Sequence, residues 1–119
     1  MKIKLILMPI IMTIIPMTIK ANNMIKYNYQ QIENVKVFYR EAGNPDKPTI
    51  LLLHGFPSSS VMFRQLMPEL ADEYHLIAPD MPGFGQTEAP DKPNFEYSFY
   101  NLARTIDKFT EAIGLTQFR

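Results

Sequence analysis

Four aliphatic residues in a row, Ile50-Leu51-Leu52-Leu53, run directly into His54-Gly55-Phe56-Pro57, and this junction constrains the fold more than any other part of the 119-residue chain. The run is too short for a helix and lacks polar alternation, so Thr49-Leu53 reads as a strand buried on both faces of a parallel sheet. The turn after it then lies at a carboxyl edge. In open α/β sheets ligands bind at that edge, because loops leaving the strand tips converge there around a crevice.

Charge and composition remove several alternatives. Twelve basic and twelve acidic side chains cancel, with no basic stripe or charge run, so the electrostatic footprint of nucleic-acid binding is missing. Without cysteine there is no disulfide framework, thiolate nucleophile or thiolate zinc site. Two histidines without nearby carboxylate spacing make a poor metal cluster, so no metal site is expected. The length allows one domain at most.

The N-terminus reads as separate from that domain. Lys2 and Lys4 precede an apolar run from Leu5 to Ile19 interrupted only by threonine and proline, the layout of a secretory signal peptide with Ala21 as the cleavage point. Ile19 and Lys20 stand where small residues are preferred. An uncleaved N-terminal anchor is the second reading, but Pro9, Pro16 and the shortness of the run argue against a stable membrane span. Residues 1–23 are therefore set apart, and 24–119 are read as the folded unit. Export is expected if the signal is used, and membrane anchoring if it is not.

Along the remaining chain, Ile25, Tyr27 and Tyr29 alternate with polar residues, and after Glu33-Asn34 so do Val35, Val37 and Tyr39, which predicts two half-exposed strands in a hairpin. Gly43 to Pro48 is a surface loop. Ser58, Ser59 and Ser60 offer N-caps for a helix from about Val61 to Leu66, with Pro68 stopping it or opening a second turn through Ala71. His75-Leu76-Ile77-Ala78 reads as another buried strand. Asp80 to Pro93 carries too much proline and glycine for regular structure and is a long loop at the same carboxyl edge. Ser98 caps a last helix whose Phe99, Leu102, Ala103, Ile106, Phe109 and Ile113 recur at helical spacing, with Gly114 as its stop. That face is expected to cover the sheet. Thr116 to Arg119 looks like the approach to a further strand.

The order of strand, His-Gly-Phe-Pro turn, helix, strand and then Asp80-Met81-Pro82-Gly83-Phe84-Gly85-Gln86-Thr87 resembles the N-terminal part of the α/β-hydrolase fold, most of all its epoxide hydrolase and haloalkane dehalogenase branch. The resemblance covers about residues 25 to 119. It implies an incomplete α/β-hydrolase sheet, a hairpin plus parallel strands with flanking helices. It also implies that the backbone N–H of Phe56 is one of two oxyanion-hole donors, the other lying just after the nucleophile. A developing negative oxygen needs donors already aimed at it, and a main-chain N–H in a tight turn needs little reorganisation. Gly55 permits that turn and Pro57 stiffens it.

Blander roles weigh against sharper ones at the other positions. The Phe56 ring can plug a pocket wall while its main chain does the chemistry. His54 is read as fixing the loop in preference to acting as a general base, because the family's catalytic histidine comes much later. His75 has no acidic or nucleophilic motif beside it and reads as structural or solvated. Asp80 is rejected as an alkyl-aspartate nucleophile, since it opens an Asp-x-x-Gly-x-Gly-x-Thr loop whose turn its side chain can set. Gly83-x-Gly85 lacks the third glycine of a dinucleotide fingerprint and marks no cofactor site.

No Gly-x-Ser-x-Gly or Asp-centred elbow occurs in the chain, and no acid and histidine follow one. The first functional reading is therefore a truncated hydrolase whose family substrates are small apolar esters, epoxides or haloalkanes, itself catalytically incomplete. The alternative is a secreted or membrane-tethered binding module that retains half the hydrolase pocket. An unpaired edge on the Ile50-Leu53 strand would favour self-association.

Overall fold

The computed structural model describes residues 23–119, and the expected signal segment lies outside the described residues. Four strands form one mixed sheet in the order β1-β2-β4-β3: β1 Lys26–Ile32, β2 Val35–Ala42, β3 Thr49–Leu51 and β4 His75–Pro79. A hairpin joins β1 to β2, with Ile32 opposite Val35 and Glu33-Asn34 making the turn; Glu33 takes the left-handed conformation at φ 52°. β2 pairs antiparallel with β4, and β3 pairs parallel with β4 through Ile50 opposite Leu76. Between β3 and β4 the chain crosses over through a 3-10 turn, Ser60–Phe63, and a short helix α1, Leu66–Leu70; α2, Phe99–Ala112, follows the long loop after β4.

Cores lie on both faces of the sheet. On one, Phe109 of α2 and the partly buried Ile113 just after it meet Val35, Val37 and Ile77; on the other, Met67 and Ala71 meet Ala42, Leu76 and Ala78. β4 is buried along its whole length because it has strands on both sides and a layer on each face. Local chemistry sets the ends of α2. The Ser98 side chain accepts from Asn101 N–H, and Gly114 leaves the helix at φ 78°.

Three expectations change. The strand read as Thr49-Leu53 and buried on both faces is only Thr49–Leu51 and half-buried, with Leu53 47% exposed. It lies at the end of the strand order, and among the described residues its outer side bonds only Arg119, whose N–H donates to Thr49 O at 3.0 Å and whose carbonyl accepts from Leu51 N at 2.9 Å. Those two bonds have the parallel pattern, in keeping with the expected approach to a further strand. Of the two hairpin strands expected to be half-exposed, β1 is, but β2 is mostly buried because it is interior to the sheet, and Phe38 and Arg40 are buried along with Val35 and Val37. The helix expected over Val61 to Leu66 is the 3-10 turn followed by α1. Pro68 sits in the first turn of α1, where its missing N–H has no helical partner to lose.

Candidate active site: an apolar cleft between two loops

The His54–Pro57 turn leaves β3 and the Asp80–Thr87 loop leaves β4. Because the strands are parallel, both loops emerge at the same carboxyl edge. Between them and α2 lies a cleft of about 690 Å³ whose walls are almost entirely apolar: Leu51, Leu53, Phe56, Met81, Phe84 and Phe99 are among its lining residues. The helix that was expected to cover the sheet instead divides its apolar face. Ile106 and Phe109 are buried, whereas Phe99 is 93% exposed and, with Leu102 and Ala103, faces the cleft.

Phe56 stands at the mouth. Its side chain is 86% exposed and meets the Phe84 ring edge-on at 6.1 Å; the Phe56-Pro57 peptide is cis. Among the described residues its N–H makes no hydrogen bond. Gly55 is exposed beside it, with open space where a Cβ would stand. His54 is buried, and both ring nitrogens are engaged: Met81 N–H donates to Nε2 at 3.0 Å, and Nδ1 lies 3.0 Å from Gly55 O. Neither nitrogen is free to take a proton from a substrate.

Asp80 is buried behind the cleft. Its Oδ1 accepts from Ser60 N at 2.6 Å and its Oδ2 from Gln86 N at 2.9 Å, so one carboxylate joins the start of the 3-10 turn to the far end of its own loop. Its own N–H donates to Phe38 O at 2.8 Å. Gly85, at φ 53°, comes so close that a Cβ there would lie 2.0 Å from Asp80 Oδ2. Gly83, at φ 88°, lies under the Tyr97 ring. With both oxygens on main-chain donors, Asp80 is spent on loop geometry.

The hydrogen bonds add residues that linear reading did not single out. Arg40 is buried and donates from Nε to Ser60 Oγ at 3.0 Å, tying β2 to the Asp80 system. Thr87 Oγ1 donates to Asp80 O at 2.6 Å and accepts from Phe38 N at 3.0 Å. At the opposite end of the strands His75 is indeed structural. Its Nδ1 is 2.9 Å from Thr49 Oγ1 and its Nε2 is 2.8 Å from Glu41 Oε2, so it bridges three strands. No acidic neighbour in sequence announced Glu41, which only strand register brings alongside. No cluster of three or more metal-ligating side chains occurs among the described residues.

The family model for the α/β hydrolase fold matches residues 48–118, a span that contains both loops and α2. The chain is 48% identical over 99 residues to an uncharacterized hydrolase of Saccharomyces cerevisiae, YNR064C, covering 82% of this chain and 33% of that protein. It is 44% identical over 78 residues to a haloalkane dehalogenase of Bradyrhizobium diazoefficiens, covering 66% and 24%. Among solved structures it resembles the haloalkane dehalogenase DbeA of Bradyrhizobium elkani at 36% identity and a TM-score of 0.71, covering 76% of this chain and 30% of that one. The chain thus spans a third or less of the length of these relatives.

Proposed function

The chain belongs to the α/β-hydrolase fold family, and from that membership we propose that it supplies the oxyanion-binding wall of a hydrolase site for small apolar substrates. The observation that carries the proposal is the Phe56 N–H, which has no hydrogen-bond partner among the described residues and sits where the apolar cleft opens at the tip of β3. A donor held in a turn that His54 and Pro57 constrain is already placed for an oxygen that becomes negative in a transition state. The apolar walls favour a substrate with a short hydrocarbon body, an ester, epoxide or haloalkane, which agrees with the dehalogenase names among the relatives. His54 and Asp80 then support the site without touching substrate.

One donor is half of an oxyanion hole, and the 119 residues contain no nucleophile elbow. By themselves they are therefore expected to bind and not to turn over. The comparisons lend no support to the alternative of a separate binding module. The proposal extends to export, with removal of the N-terminal segment near Ala21, for which Lys2, Lys4 and the apolar run behind them are the support. Mass spectrometry of exported material checks it, and an intact Met1 on exported protein counts against it.

The test of the site uses butyrate, whose carboxylate mimics the oxyanion and whose propyl tail suits the cleft. A saturable shift of the Phe56 amide resonance on titration is expected, and none with sodium chloride at the same ionic strength. An unmoved Phe56 amide overturns the assignment. Hydrolysis of p-nitrophenyl butyrate at the background rate is expected alongside it, and a rate that saturates with substrate would show that the chain holds its own nucleophile.

A further inference from the structure

His54 is only 4% exposed, yet both ring nitrogens meet main-chain groups. A backbone N–H can only donate, so Nε2, 3.0 Å from Met81 N, must be the bare nitrogen. The proton then sits on Nδ1, which donates to Gly55 O at 3.0 Å. This neutral tautomer joins the turn that carries Phe56 to the first residue after Asp80. A ring protonated on both nitrogens would set N–H against N–H at Met81. Turning the ring over gives no relief, because it replaces Nε2 with a C–H.

We infer that His54 is a positioning residue acting as an acid-sensitive latch: in its neutral form it holds the His54–Pro57 turn against Met81, and protonation at Nε2 releases that contact. The release is local. Asp80 still binds Ser60 N and Gln86 N through its carboxylate and Phe38 O through its N–H, and none of these bonds involves the imidazole. On the surrounding elements the ionisable groups are Asp80 on the loop, Arg40 on β2, which reaches Ser60 Oγ, and Asp107 on α2, which lines the cleft. None of the three bonds the ring, whose other neighbour is Phe84 at 5.2 Å. His75, the second histidine, stands at the far end of β4 on Thr49 and Glu41.

The latch rests on the site proposed above only for its effect on the Phe56 N–H, and its test does not pass through catalysis. Amide hydrogen exchange at single-residue resolution is compared at about pH 7.5 and about pH 5, corrected for the intrinsic dependence of exchange on pH. The Met81 amide is expected to be protected at the higher pH and to lose roughly tenfold or more of that protection at the lower, while the Asp80 amide stays protected at both. In His54→Gln the side-chain carbonyl can accept from Met81 but does not titrate, so protection becomes independent of pH; His75→Gln keeps the wild-type response. The latch is overturned by an unprotected Met81 at the higher pH, by a wild-type protection that does not respond to acid, or by an acid response that survives in His54→Gln. Butyrate that leaves Phe56 unmoved while Met81 responds as described would discard the oxyanion reading and keep the latch.

Discussion

Gly85 shows how little freedom single positions behind the cleft possess. At φ 53° and with Asp80 Oδ2 2.0 Å from where a Cβ would stand, Gly85→Ala must push away a carboxylate that holds Ser60 and Gln86. A loss on the order of 2 to 4 kcal/mol is expected in urea unfolding, larger than the usual effect of a loop substitution. The pattern of two small residues around Phe84 was legible in the sequence, but the reason for the second glycine was not, because Asp80 and Gly85 meet only once the loop closes. Tyr39 makes a separate point. Desolvation beneath α2, and to a lesser degree the charge of Glu41, raise its hydroxyl above the ordinary value of 10.0. The neutral form is therefore favoured in the fold, and the stability this contributes is complete below about pH 10 and is lost as pH rises through the folded value. Tyr39→Phe is expected to flatten the alkaline decline in melting temperature, and an unchanged decline would reject that account.

At the scale of elements, α2 separates what helical periodicity can tell from what it cannot. Six apolar residues share one stripe, yet Phe109 is fully buried and Phe99 is almost fully exposed. Phe109→Ala is expected to lose about 3 to 5 kcal/mol of stability, and Phe99→Ser close to none, while the latter weakens binding of apolar ligands in the cleft. Equal losses from the two would mean that the helix lies flat on the sheet. Arg104 and Lys108 on the opposite side both bond Glu33 in the hairpin turn, the Arg104 contact at 3.0 Å. The hydrogen bond from Lys108 foremost holds the Glu33 carboxyl below its ordinary 4.5. That contribution is present above about pH 4.5 and disappears as pH falls through the lower folded value, and as an exposed contact it is screened by salt.

For the whole molecule, the outer edge of β3 and the apolar cleft beside it form one continuous surface. Arg119 satisfies Leu51 N and Thr49 O, but Leu53 beyond it is 47% exposed and lines the cleft. We expect the chain to self-associate along this edge, because a strand end without charge or proline is a template for pairing with another chain. Sedimentation velocity is expected to show concentration-dependent species. Leu53→Lys should reduce them without touching the core, because Leu53 is exposed while its neighbour Leu52 packs against the Met67 cluster. A monomer at all concentrations would remove the edge as an interface.

Sequence by itself determined what neighbours along the chain decide: strand and helix periodicity, the Ser98 cap and the Gly114 stop, and the two loops that punctuate the parallel strands. It also carried the family, because the His-Gly-Phe-Pro and Asp-x-x-Gly-x-Gly-x-Thr motifs are local. Only the tertiary structure decided which strand lies at the edge, that Arg40 is buried on Ser60, and that half of α2 overhangs a cleft. The partners of the two histidines belong to the same class. Met81 is 27 residues from His54 and Glu41 is 34 from His75. Such pairings depend on strand order and register, which are set by burial summed over the whole sheet and leave no local signal.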